Sequence, residues 1–91
     1  MNKTVEFKSD TPYYYKEQGS LKTNTIRKID MADDRFIILR KMKDNNDYGM
    51  IKIIHRQLPE ESFIRNISDI TEWDKCYLIS WKSVKKRWKM Q

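Results

Sequence analysis

Two alternating runs leave this chain little choice but sheet. In residues 49–57, Ile51, Ile53 and His55 fall on one face and Met50, Lys52 and Ile54 on the other; in residues 76–82, Tyr77, Ile79 and Trp81 fall together, with Leu78 opposite. Successive side chains of a strand point to opposite faces, so each run presents one apolar face to a core. Residues 3–8 extend the pattern with Val5 and Phe7, and 23–29 alternates hydroxyl or basic residues with apolar ones. Residues 35–42 carry Phe36-Ile37-Ile38-Leu39 between charges, which predicts a strand buried on both faces that forms a hairpin with 49–57 across the turn at 43–47. Residues 62–70 predict a further strand after the Leu58-Pro59-Glu60-Glu61 turn, with Ile64 inward and Arg65 outward, and residues 69–74 a single helical turn.

One longer helix is expected at 12–18. Thr11 is a capping residue, Pro12 suits the first turn, and Gly19 stands where a left-handed residue ends a helix. Tyr13, Tyr14 and Tyr15 cannot all face one way on it, so one ring is left for solvent or a cleft. Five to six short, mostly antiparallel strands with one or two short helices are too many for a flat sheet. Closure into a small barrel hides the edges, giving an α+β, mainly β fold class.

Composition narrows the function. At 91 residues the chain is one domain, read as 1–82 with a basic tail at 83–91. Net charge is +6, yet five of the nineteen cations lie from Lys82 onward with no acid among them, leaving fourteen against thirteen acids in the body. The tail therefore carries the long-range field, with Lys85, Lys86 and Arg87 the candidate phosphate contacts and Trp88 a docking aromatic. One Cys (Cys76) and one His (His55) do not make a Cys/His zinc site, so no metal or other cofactor is expected. His55 reads as a packed or surface residue and Cys76 as a small core residue. Trp73 and Trp81 read as lid and core aromatics. With no leader pattern, no long apolar run and a single thiol, the expectation is a cytoplasmic protein without a membrane span. High Lys and Ile usage with one Ala suggests an AT-rich coding genome, as in a low-GC bacterium or one of its phages.

The polar candidate site is Lys22-Thr23-Asn24-Thr25-Ile26-Arg27. In a strand Thr25 and Arg27 share a face and Ile26 takes the other, so Ile26 marks the core side and Thr25 and Arg27 face outward or into a cleft. Lys22 joins them only by bending around from the loop after Gly19. A Lys, a Thr hydroxyl and an Arg converging on one point suit an anion or the polar edge of a base, and Tyr14 is the candidate stacking ring.

These residues resemble the fingerprint of ASCH domains of the PUA-like superfamily, in which Gly, one residue, Lys, Thr, any, Thr, any, Arg follow a short helix. Ser20-Leu21 adds one residue before Lys22, and Asp33-Asp34 replaces the Gly-Asp that often follows. The resemblance implies a PUA-like β-barrel with a cleft for RNA, a nucleotide or a modified base. Some members are hydrolases that use a Lys, a Thr and a carboxylate; here Lys22 and Thr25 would fill two roles and Glu61, Asp69 or Glu72 the third. Three functions thus stand side by side. The first is binding of RNA or a nucleotide without catalysis, the second hydrolysis of a nucleoside or RNA, and the third regulation of a host protein through edge strands or the tail. Oligomeric state is not set by the sequence.

Overall fold

The computed structural model describes residues 3–83; Lys85, Lys86, Arg87 and Trp88 lie outside them. The elements are β1 (Thr4–Ser9), α1 (Thr11–Gln18), β2 (Asn24–Lys28), α2 (Asp34–Asn45), β3 (Met50–His55), β4 (Ser62–Trp73) and β5 (Cys76–Trp81). They form one sheet in the order β1-β3-β4-β5-β2, parallel between β1 and β3 and antiparallel elsewhere. The five mixed strands curl into a half-barrel, in line with the mainly β, barrel-like fold expected.

Curvature enters at β4. Its twelve residues pair with β3 through Ser62–Asn66 and with β5 from Ile67 to Trp73, with a register shift between Ile67 and Asp69. An extra residue on one strand bends it and increases its twist, which lets β4 belong to both halves. Val5 and Phe7, Ile51, Ile53 and His55, and Tyr77, Ile79 and Trp81 are all buried, as their alternation requires. The outlier is β2, whose inward residues are Thr25 and Arg27.

Residues 35–42 form a helix, not a strand. Phe36, Leu39 and Met42 are its buried residues, a spacing of three that only a helix brings onto one face. Asp33 caps it, accepting from Arg35 N at 3.0 Å, and Asn46 ends it in the left-handed region at φ 53°. The hairpin partner of β3 is therefore β4, not 35–42. The helical turn expected at 69–74 is likewise strand: β4 continues to Trp73, pairs it with Cys76, and turns through Asp74 (φ 51°) and Lys75 (φ 63°). A two-residue loop with both φ positive is the hairpin whose twist matches the strands it joins.

α1 begins at Thr11 with Pro12 in its first turn, but its N-cap is Asp10, whose carboxylate serves Arg56 and Gln57 instead of the helix. Gly19 is not left-handed (φ −83°); Ser20 is, at φ 67°. A Cβ on Gly19 would lie 3.1 Å from Tyr15 O, so closeness accounts for the glycine. Gly49 is tighter still, with Lys3 O only 2.1 Å from its would-be Cβ.

The face assignments of two residues are reversed. Ile64 is exposed, while Arg65 turns inward, its guanidinium 4.6 Å from the Phe63 centroid and donating to Gln18 O at 3.0 Å. Trp81 is core, whereas Trp73 is 75% exposed, and Cys76 is only half-buried. His55 packs against Tyr14 at 4.8 Å between centroids. Its Nδ1 accepts from Gln57 N and Leu58 N, which puts the proton on Nε2, 3.3 Å from Thr11 Oγ1.

Candidate functional site

The sheet does not close through its backbone. β1 and β2 are its two ends, and a side chain bridges them. Arg27, on β2, donates from Nη1 to Lys8 O at 3.0 Å and from Nη2 to Ser9 Oγ at 2.9 Å, both on β1, while its Nε donates to Thr25 Oγ1 at 3.0 Å. Its Cζ lies 4.9 Å from the Phe7 ring centroid. Every one of these acceptors is neutral. Burial, with Arg35 and Arg56 adding repulsion, pushes Arg27 below its ordinary value against the opposing pull of Glu17 and Asp10. It remains charged all the same, since guanidinium does not lose its proton in proteins.

Beneath Arg27 lies a buried carboxylate that the sequence reading did not single out. Glu17, 1% exposed, accepts from Ser9 Oγ at 2.8 Å and pairs with Lys22 Nζ at 2.9 Å. Lys22 also donates to Asn24 O. Glu17 was recoverable from the sequence, because it stands three residues after Tyr14 and the two share the buried face of α1. Its presence explains why β2 is turned over relative to expectation: Thr25 is 3% exposed and Ile26 62% exposed. Arg27, inward on β2, holds Thr25 Oγ1 and donates to Ser9 Oγ, which in turn donates to Glu17, so this corner of the interior is polar. Ile26 has no apolar partner there.

Lys22, Thr25 and Arg27 thus do converge, through Ser9 and Glu17, but they divide the work. Lys22 is neutralised by its ion pair and does not line the groove described below. The Thr25 hydroxyl has one hydrogen bond among the described residues and accepts in it, so none of them takes its proton as a nucleophile's base would. Of the three candidate carboxylates, Glu61 accepts from Tyr15 Oη at 3.1 Å, Asp69 from Thr71 Oγ1 at 2.7 Å, and Glu72 lines a crevice with Arg40 and Lys43. None is bonded to Lys22 or Thr25. Tyr14 is fully buried against His55 and Phe63 and offers no face to a base; an aromatic ring with a buried helix position behind it serves the core first.

Arg27 opens onto a groove of about 710 Å³ along the seam. Its walls carry five cations (Lys8, Arg27, Lys28, Arg35, Arg56) and three acids (Glu6, Asp30, Asp33), with Phe7 and Phe36 at its base. Arg35 is ion-paired with Asp33, which holds that carboxyl below its ordinary value, and donates to Glu6 O at 2.7 Å. Arg56 pairs with Asp10 at 2.8 Å. Lys8 and Lys28 have no ion pair or side-chain hydrogen bond among the described residues.

The free edge of β1 adds donors. Lys3 O and Ser9 O accept from Met50 N and Arg56 N on the β3 side, so the even-numbered Glu6 and Lys8 face away from β3. Their carbonyls are taken by Arg35 and Arg27; their N–H groups, which point the same way, have no strand beside them among the described residues. Arginine side chains have converted an alternating donor and acceptor edge into a donor-rich wall. Such a wall suits an oxyanion and resists the addition of a strand.

Among the described residues no cluster of His, Cys, Asp and Glu could hold a metal, and no helix is long and apolar enough to cross a membrane. No protein-family model, curated protein or solved structure matches the chain.

Proposed function

We propose that this chain is a small binding domain for RNA or a nucleotide, recognising phosphate in the groove at the β1–β2 seam. The observation that carries this reading is Arg27: a half-buried guanidinium whose three hydrogen bonds all go to neutral acceptors, with Arg35 and Arg56 nearby. A guanidinium has five N–H donors and uses three here, and a phosphate supplies the missing negative charge. Lys8 and Lys28 stand at the rim with no ion pair among the described residues, and the cations of 82–91 add to the field. The PUA-like resemblance, with its cleft beside helix and second strand, points to the same region and to the same ligand class in the cytoplasm.

The experiment is fluorescence anisotropy of a labelled single-stranded RNA oligomer over a salt series. Each neutralised phosphate of a single strand contributes about 0.7 to the slope of log K against log salt, so Lys8→Ala/Lys28→Ala should lower the slope by about 1.4. Both lysines are exposed, so the variant keeps the fold. An unchanged slope, or no binding by the wild type at low salt, would reject the groove as the site.

A further inference from the structure

We infer that the outer face of β2, β5 and β4 continues the groove as a stacking surface for an unpaired base, with Trp73 as its platform. This inference rests on the phosphate reading of the groove. Lys28 links the two: it lines the groove and also stands on the outer face of β2. Register runs from Lys28 to Cys76 on β5 and from Cys76 to Trp73 on β4, so the three form one row across the sheet. Two interstrand steps put the Cα atoms of Lys28 and Trp73 about 10 Å apart. Adjacent nucleotides of an unpaired strand can span that distance.

The row has the chemistry of such a surface. Trp73 is 75% exposed and makes no aromatic or cation–π contact among the described residues. The next row, Ile26, Leu78 and Thr71, supplies a flanking apolar strip with Ile26 also exposed. Lys75, in the turn after Trp73, accepts from Ile29 N at 2.9 Å through its carbonyl, so it adds a cation beside the Lys28 end of the row. A ring on an open sheet face, with cations along the approach, is the arrangement by which sheets take single strands: bases stack on aromatic side chains while Lys and Arg follow the backbone. Among the described residues the groove itself offers no exposed ring, because Phe7 and Phe36 are buried. Base and phosphate are therefore met by different surfaces, joined at Lys28. A duplex keeps its bases stacked on each other and would gain nothing from Trp73.

The test uses the full chain, a short oligouridylate, the same oligomer annealed to its complement, and pyrophosphate as a phosphate probe without a base. Binding of the oligouridylate should quench tryptophan emission, and Trp73→Phe should remove that quench while nearly preserving affinity. Trp73→Ala should weaken oligouridylate binding about five- to hundredfold, the range covered by base–aromatic stacking, and leave pyrophosphate binding unchanged. Loss of pyrophosphate and oligouridylate binding together in Lys8→Ala/Lys28→Ala, with Trp73→Ala affecting the oligomer alone, supports the two-surface path. Unchanged oligouridylate affinity in Trp73→Ala overturns the stacking platform while the groove reading stands. Oligomer binding that needs Trp73 but ignores Lys8 and Lys28 overturns the groove reading and the continuous path with it. Equal weakening of duplex and single strand, or a dimer of the wild type that Trp73→Ala dissociates, assigns the face to another occupant.

Discussion

Replacing Glu17 by Gln removes one charge from the buried cluster at nearly constant shape. Gln can still accept from Ser9 Oγ, but Lys22 is left facing an amide instead of a carboxylate. Breaking a fully buried ion pair by deleting one partner costs about 3–5 kcal/mol, because the remaining charge has neither water nor counter-charge. Glu17 is as buried as that figure assumes, whereas the Lys22 side chain keeps 29% of its exposure and can recover some hydration. The expected loss is therefore lower, about 2–3 kcal/mol. For a domain of this size that lowers Tm by about 10–20 °C. Lys22→Met should be destabilised in its own right, since it strands the Glu17 carboxylate. The double variant Glu17→Gln/Lys22→Met carries neither charge and should regain much of the loss, giving a coupling energy of about 1–3 kcal/mol. Urea unfolding of the four proteins, followed by circular dichroism with slopes compared, measures it directly. Additivity within about 0.5 kcal/mol would refute the reasoning, since it would mean that the two charges do not stabilise each other in the folded state.

Three further outcomes are expected. The Tyr14 hydroxyl is buried without a hydrogen-bond partner among the described residues, so Tyr14→Phe should be neutral or stabilising by up to about 1 kcal/mol in thermal unfolding; a loss greater than that would show that the hydroxyl is satisfied. Lys75 adopts φ 63° in the β4–β5 turn, where a side chain is strained, so Lys75→Gly should stabilise the fold by about 0.5–1 kcal/mol in the same assay, making the turn Asp-Gly; a loss of stability would contradict the assigned turn. Hydrogen bonding from Arg35 holds the Asp33 carboxyl below its ordinary value, so its contribution is present above the unfolded-state value near 4 and is lost as pH falls through the lower folded-state value. Asp33→Asn keeps a capping oxygen for α2 but no charge, so its stability deficit against wild type should be visible at neutral pH and vanish in acid; a deficit independent of pH would assign the loss to the cap instead.

Local signals were sufficient wherever one residue's neighbours in sequence are also its determinants. Pro12 after Asp10-Thr11 marks the start of α1, and Asn and Asp mark the turn after α2. The alternation in β3 and β5 identifies Ile51, Ile53, Tyr77, Ile79 and Trp81 as core without any knowledge of what lies opposite. Phe36-Ile37-Ile38-Leu39 is different. A short apolar run fits either a buried strand or a helix, and here the caps at Asp33 and Asn46 and the space beside β1 and β4 select the helix.

At the candidate site the sequence alone determined the grouping: Thr25 and Arg27 on one face of β2, Ile26 on the other, Lys22 arriving from the loop. Period-2 alternation defines those two sets but is silent on which of them faces in. That choice belonged to tertiary structure, because β1 and α1 bring Ser9 and Glu17 to the seam from residues distant in the chain. A buried carboxylate must be paired and hydrogen-bonded, so Lys22 turns to Glu17 while Thr25 and Arg27 turn inward to the polar seam, and Ile26 is left in water. The same folding step carries Arg27 across to the edge of β1, where its charge meets no carboxylate directly, and the groove follows from that.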